Sequence, residues 1–307
     1  MSANCPARGS RTSFSYIDTG ADGNLPATIA DGDFQELPRS GGNVNVANEY
    51  FTSNNINSNR QKSAPTAGVQ TVAGELQADY GHGNFDYLFE SLFRSSFTGN
   101  SIKIADQIKT FALQVSHKDK DDHFVHKGLR VNTFSCEINT TGVVTSTFGL
   151  MGIETETPAA ALDNAPTDAP SDESFIHIGG TFKEGGVTSA VITGLSFTID
   201  NQISNDWALG AETPVCVSAS DLVVQGSFDV FFTNLNLYQK FVDSTTTSLE
   251  ATIKDANSKQ HTWKFPAIKL LGHDIPINDG GSITVSIPFE AFFDSASGTT
   301  VELVRSA

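Results

Sequence analysis

The chain has 307 residues, room for one large or two ordinary domains, and 38% of them are apolar, enough to bury a core in either case. Nineteen basic residues against 35 acidic ones leave a net charge of −16, the reverse of the basic footprint with which proteins grip nucleic acid. Cys5, Cys136 and Cys216 are odd in number and lack metal spacing, which argues against a disulfide framework. No segment approaches the ~18 apolar residues of a membrane span, so a soluble protein made in the cytoplasm, with no membrane partner, is expected.

Residues 1–38 are polar and aperiodic and read as an extended N-terminal arm, ordered only by contact with something else. A first domain, 39–154, opens with a strand at 43–49 and a polar loop at 52–67. Over 72–80 the residues alternate: Val72, Gly74, Leu76, Ala78 and Tyr80 face one way, and Ala73, Glu75, Gln77 and Asp79 the other. That period of two predicts a strand with one buried face. Phe85, Leu88, Phe89, Leu92 and Phe93 then recur at helical spacing behind a candidate cap, Asn84. Further strands are expected at 110–116, 129–138 and 143–151.

Residues 155–186, with Pro158, Pro166 and Pro170 among alanines and acids, read as a linker or exposed loop. The second domain, 187–307, carries expected strands at 188–199, 222–232, 248–254, 268–275 and 282–289. Its weaker helical stripe is Leu235, Tyr238, Phe241 and Val242.

Two strands that begin with glycine, at Gly74 and Gly226, lie 152 residues apart, and each leads into one of the helices. At that offset Leu76 meets Phe228, Tyr80 meets Phe232 and Phe89 meets Phe241. Upstream, the loop 52–67 corresponds to 201–212; downstream, 111–152 corresponds to 249–293 at a shorter offset near 139. The chain therefore reads as two copies of one unit of strand, loop, strand, helix and further strands.

Chemistry is sparse. The cluster from His117 to His126 (HKDKDDHFVH) could offer imidazoles and carboxylates to a divalent metal, as a metal-dependent hydrolase would need. Its alternating lysines would repel a cation and its spacing fits no mechanistic motif, which favours a solvated turn. The glycine pairs at 179–180, 185–186 and 280–281 lack the strand-to-helix context of phosphate loops, and no GxSxG elbow occurs. No catalytic, cofactor or metal residue is assigned. A non-catalytic β-sandwich that decorates a particle surface is the other function class the sequence permits.

In combination these features resemble the major tail tube proteins of long-tailed, non-contractile phages, the siphophages. The resemblance covers nearly the whole chain. It rests on Ser15-Tyr16-Ile-Asp-Thr-Gly, on Asp33-Phe-Gln-Glu-Leu-Pro-Arg and the strand and loop 43–60, and on the Gly74-led strand with its helix. Lys127-Gly-Leu-Arg-Val-Asn-Thr-Phe, TGLSFTIDN at 193–201, Phe265-Pro-Ala-Ile-Lys, Ile287-Pro-Phe-Glu-Ala-Phe-Phe-Asp and Thr300-Val-Glu-Leu-Val-Arg complete it. It implies a mainly β chain of tandem tube domains of sandwich type, each with one short helix, whose strands join neighbouring subunits into a barrel. It also implies a structural, non-enzymatic role in the virion tail: stacked rings of self, with tail tip, tail terminator and tape-measure proteins as partners, and duplex DNA passing through without specific binding. A plain tube subunit has one such domain, whereas this chain reads as two.

On that reading Glu75, Gln77 and Asp79 of the first copy and Gln225, Ser227 and Asp229 of the second are expected to line the channel. The loops holding Thr52, Asn54, Asn57 and Arg60, and Asn201, Asn205, Trp207 and Glu212, together with the arm, are expected to touch the next ring. If six single domains close a ring, three double ones do, so a trimer with pseudo-sixfold symmetry is expected.

Overall fold

The structure, a computed structural model, describes residues 6–55, 61–170, 173–189, 191–272 and 281–306. Asn57, Arg60 and part of the strand expected at 268–275 lie outside these residues. Strands occupy 53% of the chain and helices 6%, so the fold is mainly β. In the first half β1 (Thr12–Gly20), β2 (Gln35–Glu36), β3 (Gly41–Phe51) and β4 (Thr66–Asp79) lead into α1 (Asp86–Phe93). There follow β5 (Ser101–Lys103), β6 (Thr110–His117), β7 (Asp122–Asn139), β8 (Thr145–Gly152) and β9 (Glu154–Glu156). The second half opens with β10 (Ile176–Glu184), β11 (Val187–Thr188), β12 (Ile192–Asp200), β13 (Ile203–Asp206), β14 (Cys216–Ala219) and β15 (Val223–Phe231). It ends with α2 (Asn236–Val242), β16 (Thr247–Lys254), β17 (Gln260–Leu270), β18 (Thr284–Ala291) and β19 (Glu302–Arg305).

Alternation of apolar and polar residues leaves each long strand one face to bury, and pairing gathers those faces into one antiparallel sheet. Its order is β3, β4, β8, β7, β12, β15, β18 and the end of β17. A second layer covers the apolar face. Under the first half it consists of β1, β6, the start of β7 and β9; under the second, of β10, β16, the start of β17 and β19. β7 and β17 belong to both layers, each passing from one to the other along its length.

The pairing of the two halves coincides in detail. Leu113 faces His126 and, past a bulge, Phe111 faces Leu129; likewise Leu249 faces Phe265 and, past a bulge, Thr247 faces Ile268. Val131 faces Leu150 as Leu270 faces Phe289. Pro266 falls at the second bulge, where no ladder hydrogen bond is demanded of it. Gly74 and Gly226 sit where strands press closest. A Cβ on Gly74 would lie 1.9 Å from the Asn43 carbonyl oxygen, and one on Gly226 2.4 Å from that of Ser196.

The halves share a single core, whose centre is the joint between them. Trp263 of β17 lies against Phe134 of β7 (5.3 Å between centroids) and Phe197 of β12 (4.9 Å), and it stacks on Phe93 of α1 (6.1 Å). Beside it the Tyr80 hydroxyl and Nδ1 of His261 share a hydrogen bond of 2.6 Å. Burial pushes His261 well below the usual imidazole range and Tyr80 well above its own, so both are neutral. β19 pairs with β5, and Arg305 bonds Asp86 while lying over the Phe97 ring.

Three expectations change. Residues 12–20 are not an arm awaiting an outside partner: they form β1, paired with β6 from Thr12↔His117 to Gly20↔Thr110, with Phe14 buried. The segment 155–186, expected as a linker or exposed loop, connects the halves and holds structure of its own in part. Buried Asp163 accepts from the backbone N–H groups of Gly32 and Phe34 at 3.0 and 2.9 Å, and β10 pairs with β16 as β1 does with β6. Asn84 does not cap α1 either. The residue before the helix is Phe85, without a side-chain cap, and Asp86 supplies negative charge in the first turn.

Candidate functional site

The face of the long sheet turned away from the core is polar across both halves. One row of neighbours runs Gly41, Gln77, Thr147, Ser135, Thr198, Gln225, Glu290 and Lys269. The next row runs Asp79, Thr145, Glu137, Ser196 and Ser227. All six residues expected in the channel wall, Glu75, Gln77, Asp79, Gln225, Ser227 and Asp229, stand on this one face, and the β7–β12 pairing makes it continuous between them. At the midline it dips into a trough of about 290 Å³ lined by Ser135, Glu137, Thr145, Thr147, Ser196, Thr198 and Ser227.

Side-chain bonds run along and across the face: Gln77 donates to Glu75 on β4 at 2.8 Å, Asn139 to Glu137 on β7 at 2.7 Å, and across strands the hydroxyls of Ser196 and Ser227 lie 3.1 Å apart. Its charged members are mostly acids; the basic ones, Arg130 and Lys269, stand at its margins, opposite Met151 and Glu290. Hydroxyls, amides and scattered carboxylates give a wetted surface with weak repulsion for a polyanion and no grip on it.

The contributions of β7, β8, β12 and β18 to this face were not anticipated. Their alternation was visible in the sequence, but nothing local said that these strands lie between the two glycine-led ones.

At one end of the sheet, the extended β3–β4 hairpin carries Thr52 and Asn54, both exposed, and leaves Tyr50 and Phe51 more than half exposed. The β13–β14 hairpin meets it there, Gln70 N–H donating to the Glu212 carbonyl at 2.8 Å. Trp207 and Glu212 are exposed on that hairpin and Asn205 is half-buried. Asn201 lies elsewhere: it is buried, donating to the carbonyls of Leu92 and Val131 at 2.9 and 3.1 Å, and so holds α1 to the sheet.

The histidine cluster is taken up by local hydroxyls. His117 pairs with Thr12, His123 with Ser116 and Asp121, and His126 with Thr155. Among the described residues no group of three or more His, Cys, Asp or Glu side chains is arranged to hold a metal.

A family profile described as phage tail tube protein matches residues 9–291, from just before β1 to the last residue of β18. The chain belongs to the phage tail tube protein family. That membership gives it a structural role in the virion tail. No curated protein matches the sequence. Among the described residues no helix is long and apolar enough to cross a membrane.

Proposed function

We propose that this tail tube protein polymerises as stacked rings of three chains, each chain supplying two tandem copies of a tube unit, with the polar sheet face lining a channel that conducts the genome. The observation that carries this reading is the single polar face running unbroken through both halves. At its two ends, the outer edge of β3 has no strand partner among the described residues, and Lys269 and Leu270 at the end of β17 pair with β18 alone. An open sheet with free edges of this length aggregates unless it is covered or closed, and closure into a barrel removes the edges.

The recurrent pairing supports two copies, the first beginning at β1 and the second at β10. This shifts the unit boundaries from 39 to about 12 and from 187 to about 176, since each of these strands completes the second layer of its own half. Within a chain the joint between copies is β7 with β12; between chains it is β17 with β3 of the next copy, and six such joints alternate around the ring. The hairpins with Thr52, Asn54, Trp207 and Glu212 serve contacts between rings, and the tail tip, terminator and tape-measure proteins meet the ends and lumen of the stack.

Electron cryomicroscopy of the assembled protein tests the symmetry directly. Three chains per ring with pseudo-sixfold density are expected; six chains per ring would mean that the second copy stands outside the wall, and a monodisperse monomer would favour the surface decoration module instead.

A further inference from the structure

At the joint inside the chain α1 is sealed: Trp263 stacks on Phe93, meets Phe89 edge-on at 5.7 Å, and is backed by Phe197. The coincident pairings give each of these residues a counterpart. Phe89 of α1 corresponds to Phe241 of α2, Trp263 of β17 to Phe124 of β7, and Phe197, opposite Gly226, to Val44, opposite Gly74. These counterparts do not meet within the chain. α2 has no fully buried residue and leaves Leu235 52% and Val242 59% exposed. Phe124, 37% exposed, borders a cleft of about 330 Å³ that Phe14, Arg39, Val44 and His126 also line.

The helix lacking its cover stands beyond β17 and the cleft lacking its helix stands beside β3, at opposite ends of the long sheet. One copy cannot bring them together, but two copies head to tail can. We propose that α2 of one copy seats in the Phe124–Val44 cleft of the adjacent copy, as α1 seats against Trp263 and Phe197 within the chain. The proposal rests on the ring reading above and names the surfaces that close it. The same correspondence sets the strand register of the joint: where Thr133 faces Asp200 inside the chain, Gly272 faces Ala47 of the next copy.

Two single variants of the full-length protein test the joint, Val242→Asp on the helix and Phe124→Asp in the cleft. Both sites are exposed in the lone chain, so circular dichroism and thermal unfolding should match the wild type. By sedimentation velocity each variant alone should stay monomeric to a concentration about 30-fold or more above that at which the wild type assembles, the loss of one buried interface anchor. Mixed, they retain one intact helix and one intact cleft between them and should form 1:1 dimers that grow no further. Assembly of either variant at the wild-type concentration, or a mixture that stays monomeric, overturns the joint while leaving rings of the wild type, and so the ring reading, in place. A wild type that never assembles overturns both.

Discussion

The close approach of backbones at Gly74 and Gly226 makes these residues the sharpest single-site requirements of the sheet. A methyl group on Gly226 would meet the Ser196 carbonyl oxygen at 2.4 Å and the Phe289 ring at 2.8 Å, and neither β12 nor β18 can yield without breaking its ladder. Gly226→Ala is expected to cost about 1–3 kcal/mol, read as a lower midpoint in chemical denaturation. Buried imidazoles set the response to acid. Burial lowers His126 to about 4 and His261 well below its usual value, so the folded state keeps both neutral while the unfolded chain takes up protons below about 6.5. Stability is therefore full above that pH and falls as pH drops from 6.5 towards 4. His126→Gln should make the fall in melting temperature between pH 6.5 and 4.5 shallower; an unchanged slope would show that His126 stays accessible to protons in the fold.

Elements with a single buried face were legible from sequence, because period two at 72–80 and period 3.6 at 85–93 each have one cause. The strands that were missed fail that condition. β17 buries His261, Thr262 and Trp263 in succession, since it lies between layers and presents no solvent face at that point, so no alternation remains to read. The two helices diverged for a related reason. α1 is enclosed by Trp263 and the β5–β19 pair and is apolar nearly all round its buried face, whereas α2 lies at the end of the chain's own core and keeps only Leu237 and Phe241 packed against it. The outward polar residues of the glycine-led strands could be proposed for a channel wall because a repeat marked them. Those of β7 and β12 could not, since their position depends on a pairing between halves that no local pattern encodes.

At the scale of the molecule, the proposed channel gives the −16 net charge and the polar sheet face one physical task. A duplex presents one phosphate charge per about 1.7 Å of axis, and a wall of lysines would release counterions and bind at each step, so that sliding would mean breaking many contacts at once. On the channel reading proposed above, a wall of hydroxyls and amides with carboxylates at Glu75, Glu137, Asp200, Asp229 and Glu290 keeps the duplex solvated and centred. Replacing Glu75, Asp79 and Asp229 by lysine reverses that field on strands β4 and β15 without touching the apolar face, so the ladders and core should persist. Tubes of normal diameter are expected, together with genome ejection that is slower than wild type at low salt and recovers as salt rises, because screened phosphate contacts weaken steeply with ionic strength. Time-resolved light scattering or dye release from particles carrying the triple variant measures this. Ejection at the wild-type rate across the salt range would place these three side chains away from the path of the DNA, on the outer surface of the tube.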